Sequence, residues 1–93
     1  MKNPKRKGTQ NEHRSMDILR AAGYRVTRSG ASLGEWDVIG VSRTDMVLVQ
    51  VKTRDWPGLF ERQVLRDFEV PPNCRKLIHR WRKYARLPDE QEP

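Results

Sequence analysis

Three polar residues interrupt apolar segments in the middle of the chain, and their types suit metal-assisted chemistry. They are Asp37, Gln50 and Lys52. Gln50 and Lys52 are two positions apart, so on a strand their side chains share a face. A carboxylate, an amide and an ammonium that converge on a buried strand destabilise the fold unless each has a partner. The combination suits a divalent cation held beside a lysine, although Glu35 could also pair with Lys52 in a purely structural role.

A β-hairpin is the element that must bring these three residues together. Trp36–Val41 and Met46–Val51 are rich in β-branched residues and flank a polar turn at 42–45, which is the pattern of a hairpin. A turn at these positions places Asp37 opposite Gln50, with their Cβ atoms about 5 Å apart.

The charge of the chain predicts a polyanionic partner. The net charge is +7 over 93 residues, and the last five positions contain three of the acidic residues, so the body before them is more basic still. Nucleic acid is the first expected partner, an anionic membrane the second, and a solvated basic surface the structural alternative. The length allows one small domain. A single cysteine, Cys74, and the lack of a long apolar run favour a cytoplasmic protein without a membrane span.

The N-terminal part predicts a basic arm followed by a helix. Residues 1–8 are basic and either contact phosphates or only add solubility. Thr9 to Glu12 form a capping-box pattern, and a helix is expected from there to Gly23. Glu12 lies on the same helical face as the apolar Met16 and Leu19, so it either faces the sheet or only caps the helix.

The segments on both sides of the hairpin are expected to be a strand, a loop and a helix. Tyr24–Arg28 alternates as a strand does, and the small residues of 29–34 permit close approach of a phosphate or form an ordinary turn. A helix is predicted from Pro57 to about Asp67, with an apolar stripe of Phe60, Val64 and Phe68.

A second amphipathic helix is predicted over Cys74–Arg86. Leu77, Ile78 and Trp81 follow Cys74 at helical spacing, and the opposite side is basic without balancing acids. Such a face favours phosphate binding, while a solvated face and a calmodulin- or membrane-type helix are the alternatives. The predicted organisation is a basic flexible arm at 1–8, a single domain at 9–86 and an acidic, frayed tail at 87–93.

Taken in order, these motifs resemble the PD-(D/E)XK nuclease superfamily, and within it the archaeal-type Holliday-junction resolvases and virus-type replication-repair nucleases. The likeness covers about residues 5–53. It rests on Arg6-Lys7-Gly8, Glu12, Gly23-Tyr24, Arg28-Ser29, Ser32, Gly34, Asp37-Val38-Ile39, Val49 and Val51-Lys52. The resemblance implies an α/β, restriction-endonuclease-like core, with a small mixed sheet flanked by helices in the order α-β-β-β-α-α.

The resemblance also implies a role for each matched position. Asp37 would be the central metal ligand, Glu12 would complete the metal shell, and Gln50 stands where a carboxylate is usual. Lys52 would hold the attacking water or stabilise the phosphate, and Ser32 would lie against the scissile phosphate. The cations expected to contact DNA are Lys5, Arg6, Lys7, Arg28, Arg54, Arg75, Lys76 and Arg80.

Elementary metal chemistry agrees with these implied roles. Phosphodiester hydrolysis needs an activated water and charge neutralisation, which Mg²⁺ (or Mn²⁺) supplies. The oxygen ligands would come from Glu12, Asp37, the Gln50 amide and the Val51 carbonyl, and Mg²⁺ keeps several of its waters. Two departures stand out: Gln50 removes one negative charge, and Trp36 replaces the proline of the signature.

The function expected from the sequence is a metal-dependent endonuclease acting on branched or structured DNA as a homodimer. A dimer supplies two symmetry-related sites for two strands, and Trp56 or Trp81 would serve its interface if exposed. The competing readings are a non-catalytic DNA-binding module on the same fold, a nickase or flap nuclease, and an unrelated basic regulator. The substrate shape, including duplex DNA, stays open.

Overall fold

The computed structural model describes residues 4–30 and 33–93, with the backbone alone for residues 4–7. The elements, in chain order, are helix α1 (Pro4–Ala21), strands β1 (Arg25–Arg28), β2 (Val38–Val41) and β3 (Met46–Thr53), helix α2 (Leu59–Asp67), and strands β4 (Cys74–Trp81) and β5 (Asp89–Gln91). In the described chain the strands form one five-stranded sheet in the order β1-β2-β3-β4-β5. Only the central β3–β4 pair is parallel.

The hairpin has the predicted register. Val41 pairs with Met46 and Val38 with Val49, and the Ser42 N–H donates to the Asp45 carbonyl oxygen at 2.8 Å to close the turn. This agreement follows because the turn residues fix which positions of the two strands face each other.

Helix α1 covers one face of the sheet. Its Met16 and Leu19 pack with Val38, Val49 and the remaining residues of this core, which are Val47 and Leu77. The helix begins at Pro4, five residues earlier than predicted, so the Thr9-to-Glu12 pattern lies inside the helix and the capping box is wrong. Proline is well suited to the first helical turn because it has no N–H to leave unpaired. Residues Pro4–Gly8 are therefore helical rather than an arm ahead of the helix.

Helix α2 covers the other face of the sheet. The side of the helix that is buried differs from the side that the sequence predicted. Leu65 is fully buried there with Trp36, Leu48 and Ile78. The predicted stripe is wrong for two of its three residues, because Phe60 is 82% exposed and Val64 is exposed as well, whereas Phe68 packs edge-on against Trp36. A short helix offers several apolar spacings, and burial of Leu65 decides between them.

The second predicted helix is instead strand β4, followed by a turn. All eight of its residues pair in parallel with β3, from Met46 opposite Cys74 to Thr53 opposite Trp81. Leu77 belongs to the core under α1, and Ile78 belongs to the core under α2. A strand buried on both faces carries apolar residues without strict alternation, and here their spacing coincides with that of a helix.

The acidic C-terminus is the edge strand β5 rather than a frayed tail. It pairs antiparallel with β4 and places acids beside bases. Asp89 accepts a hydrogen bond from the Arg80 Nη2 at 2.5 Å, and Glu90 lies 3.0 Å from the Nε2 of the buried His79. The described helices lack the length and apolar character needed to cross a membrane.

Candidate active site

Asp37 lies where strands β1, β2 and β3 meet. Its N–H donates to the Val49 carbonyl at 2.9 Å, and its own carbonyl accepts the Ser29 N–H at 2.9 Å. The carboxylate reaches across to β3, where its Oδ2 accepts the Val51 N–H at 2.7 Å. The Asp37 side chain is therefore held against β3 at Val51, the residue between Gln50 and Lys52 in the sequence.

The surroundings raise the pKa of the Asp37 carboxyl to about 6. Burial is the main cause, and the negative charges of Glu12 and then Glu35 act in the same direction, while the Val51 N–H and the Lys52 ammonium lower the pKa. A carboxyl group with a raised pKa in a crowded acidic setting is typical of a functional site. A bound cation would favour its ionised form.

Glu12 and Asp37 line the same surface cleft. The cleft is formed by α1, the end of β1 and the start of β2, and its lining consists of Gly8, Thr9, Glu12, Arg28, Gly30 and Asp37. Glu12 Oε1 accepts a hydrogen bond from Arg28 Nε at 2.8 Å, and the Glu12 side chain is only 20% exposed. The interpretation of Glu12 as a helix cap is therefore wrong. Its carboxylate faces the end of β1, where it binds Arg28.

The Gln50 and Lys52 side chains meet at one carboxylate on α2. Glu61 Oε2 accepts a hydrogen bond from Gln50 Nε2 at 3.4 Å and from Lys52 Nζ at 3.3 Å. The ion pair of Lys52 is thus with Glu61, and the suggested structural partner Glu35 is exposed instead. The other branch of the Gln50 amide, Oε1, is buried and lacks a hydrogen-bond partner among the described atoms.

Two residues that matter for the site escaped the sequence analysis. Glu61 lies one turn before Leu65, so knowing that Leu65 faces the sheet would have pointed to it. Asn11 is buried, and its Nδ2 donates to Thr53 Oγ1 at 2.9 Å, which fastens α1 to the end of β3 beside Glu12. No sequence signal distinguished Asn11 from an ordinary helix residue.

The other predicted site residues are dispersed. Ser32 and the side chains of Lys5, Arg6 and Lys7 lie outside the described residues. Arg54 and Arg75 are exposed, and Arg28 pairs with Glu12.

Two of the predicted DNA-contacting cations have structural partners instead of a free basic face. Lys76 Nζ donates to the last carbonyls of α2, those of Leu65 and Arg66, at 2.8 and 2.7 Å. Arg80 pairs with Asp89 and lies 4.7 Å from the Trp56 ring. The predicted basic helix face does not exist, and neither do its membrane and calmodulin alternatives.

The donor set fits a hard cation that keeps much of its water. Two carboxylates, a partnerless amide oxygen and the Val51 backbone supply oxygen only, which is what Mg²⁺ prefers. Within residues 4–30 and 33–93, no three His, Cys, Asp or Glu side chains lie close enough to hold a metal on their own. A cation here would need Glu12, Asp37, the Gln50 amide, the Val51 carbonyl and solvent together.

The fold is similar to that of an archaeal Holliday junction resolvase, which agrees with the fold that the resemblance implied. A solved structure similar to the chain is that of Archaeoglobus fulgidus Hjc, a Holliday junction resolvase from an archaeal hyperthermophile. The TM-score is 0.67 and the identity 20%, with 85% of this chain and 67% of that chain covered. No protein-family model matches the chain, and no curated protein matches it. The predicted fold class, a small mixed sheet with flanking helices, is confirmed, with β4 and β5 in place of the last helix.

Proposed function

We propose that the protein is a metal-dependent DNA endonuclease that hydrolyses phosphodiester bonds in branched or structured DNA. The observation that carries the proposal is the cleft shared by Glu12 and Asp37, whose carboxylate accepts the N–H of Val51, the residue between Gln50 and Lys52, at one end of a resolvase-like sheet. The similarity to an archaeal Holliday junction resolvase supports the choice of DNA as substrate.

Mg²⁺ (or Mn²⁺) is the proposed cofactor, held by Glu12, Asp37, the Gln50 amide oxygen and the Val51 carbonyl. When bound, the ion would supply an activated water and neutralise charge on the phosphate. Asp37 is suited to this role because the Val51 N–H fixes its carboxylate, and its raised pKa reflects negative charge and burial that a cation would offset.

Lys52 is proposed to stabilise the negative charge that develops on the phosphate. Its ammonium is near enough to lower the pKa of Asp37, and its side chain is 29% exposed, so it lies at the mouth of the site. Arg28 is proposed to bind phosphate after leaving Glu12, since its side chain is 42% exposed. The role of Ser32 against the scissile phosphate stays a prediction.

The basic charge of the chain supports binding to the DNA backbone. The net charge of +7 provides a salt-sensitive attraction for phosphates. Of the cations predicted to contact DNA, Arg28, Arg54 and Arg75 have exposed side chains suited to this. Lys5, Arg6 and Lys7 stay as predicted contacts, whereas Lys76 and Arg80 are better explained by their structural partners.

A homodimer stays part of the proposal, with a changed interface. Trp81 is buried and Trp56 packs against the core beneath α2, so neither predicted tryptophan is available to a partner. The large exposed apolar residues on α2 are Leu59, Phe60 and Val64. A second copy would cover them and supply the second active site for the opposite strand.

The test is cleavage of supercoiled plasmid, plain duplex, a flap and a synthetic four-way junction, each with Mg²⁺ and with EDTA. We expect Mg²⁺-dependent cleavage with preference for a branched substrate, and loss of cleavage in Asp37→Asn. Cleavage that favours nicks or flaps would select the nickase or flap-nuclease alternative. A function other than cleavage that stays intact in Asp37→Asn and Lys52→Ala would instead favour an unrelated basic regulator.

A non-catalytic DNA-binding module on the same fold is the second candidate function. Gln50 favours it, because an amide in place of a carboxylate lowers the negative charge available to a cation. The Arg28–Glu12 ion pair also favours it, since Arg28 occupies one of the proposed ligands. Junction binding without cleavage at any Mg²⁺ or Mn²⁺ concentration would establish this function.

A further inference from the structure

Glu61 bridges the two polar residues of β3 through a single oxygen atom. Its Oε2 accepts from Gln50 Nε2 at 3.4 Å and from Lys52 Nζ at 3.3 Å. The Glu61 side chain is 39% exposed, so this carboxylate lies at the edge of the site rather than deep in the core. Neither the sequence motif nor the proposed metal shell includes it.

The position of Glu61 is fixed by the packing of α2. Leu65, one turn further along, is fully buried against Trp36 and Ile78, which turns the same side of the helix to the sheet. The Lys76 ammonium binds the last carbonyls of α2, a favourable place for a cation on a helix. Glu61 is thus presented to β3 by both a buried contact and a helix-end contact.

The carboxylate decides how the Gln50 amide is oriented. An ionised carboxylate only accepts hydrogen bonds, so Gln50 must turn its NH₂ group to Glu61 and its oxygen elsewhere. That oxygen is buried and has no hydrogen-bond partner among the described atoms. A buried polar atom left in this state destabilises the fold, and a ligand that binds it would offset that cost.

We propose that Glu61 is a positioning residue of the active site, which orients the Gln50 amide oxygen toward a divalent cation and holds Lys52 in place. The inference rests on the proposed metal-dependent function. Glu61 also supplies, next to Gln50, the negative charge that a carboxylate at position 50 would carry. The carboxylate acts on the cation through Gln50 and Lys52 rather than by direct binding.

The experiment measures Mn²⁺ binding without DNA, by calorimetry, together with cleavage kinetics. The variants are Glu61→Gln, the exchange Gln50→Glu/Glu61→Gln, and the control Glu69→Gln. Glu69 is exposed just beyond α2, so its change removes the same charge from a neighbouring surface position. The exchange leaves the net charge of the protein unchanged. It also keeps a carboxylate opposite an amide, with the two groups in exchanged positions.

Glu61→Gln should weaken Mn²⁺ binding by about 10-fold or more, which is the usual effect of losing an outer-shell partner. Its kcat should fall while its KM for DNA stays near that of the wild type. Glu69→Gln should match the wild type in both assays. The exchange should restore Mn²⁺ binding, because the carboxylate then occupies position 50 and still receives an amide hydrogen bond. Recovery in the exchange excludes simple misfolding of Glu61→Gln.

Two results overturn the inference in distinguishable ways. If Glu61→Gln binds Mn²⁺ and cleaves like Glu69→Gln, while Asp37→Asn is inactive, Glu61 has no positioning role and the nuclease proposal stands. If the wild-type protein neither binds Mn²⁺ nor cleaves any substrate, the nuclease proposal fails and the role of Glu61 fails with it.

Discussion

The two halves of the site solve the problem of buried charge in opposite ways. On the α1 side, Glu12 and Asp37 share a cleft, and Arg28 pairs with Glu12. On the α2 side, one carboxylate, Glu61, satisfies both Gln50 and Lys52. In the first half, burial and then the charge of Glu12 raise the pKa of Asp37, whereas in the second half the Gln50 NH₂ group and the Lys52 ammonium share a carboxylate partner.

This difference assigns separate tasks to the two halves. A cation would be stabilised most in the α1 half. There it would relieve the repulsion between the two carboxylates and offset the cost of burying Asp37. The α2 half holds the groups that must keep their orientation while substrate binds. Removing a member of each half should therefore have different consequences for metal binding, stability and catalysis.

The largest effect is expected for Lys52→Ala. Its ammonium is the group proposed to stabilise charge on the phosphate, and loss of one preorganised charge-stabilising group costs about 10²–10³-fold in kcat. Mn²⁺ binding should be retained, because Asp37 and Glu12 are untouched. Rapid-quench cleavage of the preferred DNA substrate gives kcat, and a variant with unchanged kcat would remove Lys52 from the mechanism.

Asp37→Asn should stabilise the metal-free fold at pH 7. The carboxyl pKa is raised from 3.8 to about 6, so its contribution to stability is complete below the unfolded-state pKa and lost as pH rises through the folded pKa. Such a shift sets an upper limit of about 3 kcal/mol, which solvent screening of the partly exposed carboxyl lowers. Urea unfolding in EDTA should show the gain, and Mg²⁺ should stabilise the wild type but not the variant. A variant that is less stable than the wild type in EDTA would contradict this.

The pH dependence of Asp37→Asn should expose a second, opposite titration at His79 of β4, which packs against α1. Burial is the main cause that lowers the pKa of His79, and the Glu90 contact raises it. The neutral imidazole lies 2.9 Å from Ser15 Oγ. Its contribution to stability is present above the unfolded pKa of about 6.5 and is lost as pH falls through the lower folded pKa.

Without the Asp37 titration, stability in EDTA should decline steadily as pH is lowered from about 6.5. His79→Gln in the same background should flatten that decline. Urea unfolding at a series of pH values from about 6.5 downward measures the decline in stability of both proteins. If the decline is equally steep in His79→Gln, the titration belongs to another group.

The smallest effect is expected for Arg28→Ala. Its ion pair with Glu12 is partly exposed, so the stability change should stay within about 1 kcal/mol. Because Glu12 is released, Mn²⁺ binding should become slightly tighter. The salt dependence of DNA binding should weaken by about one unit of slope if Arg28 contacts a phosphate. An unchanged slope would mean that Arg28 serves Glu12 alone.

The structure agrees with the sequence predictions where local geometry determines the conformation. It differs from them where tertiary packing determines it. The register of β2 and β3 follows from the turn at 42–45, which is why the position of Asp37 beside β3 could be predicted. Strand β4 could not, since burial on both faces gave Leu77, Ile78 and Trp81 the spacing of a helix.

The site shows the same division. Asp37, Gln50 and Lys52 belong to one hairpin, so the contact of the Asp37 carboxylate with the Val51 N–H, between the other two residues, is a local property. Glu61 joins them only because Leu65 turns α2 toward the sheet, and the sequence offered Phe60 as an equally good choice for the buried side. The missed residue is therefore a consequence of the wrongly predicted helix face.

The most direct test of the nuclease proposal is cleavage of a four-way junction by wild-type protein and by Asp37→Asn at equal occupancy of DNA. The account predicts cleavage that requires Mg²⁺ or Mn²⁺, and a loss above about 100-fold in the variant, since even outer-shell changes at metal sites cost 10–100-fold. Equal DNA binding by the two proteins would confirm that the defect is chemical. Cleavage that continues in EDTA, or that Asp37→Asn performs as well as the wild type, would contradict it.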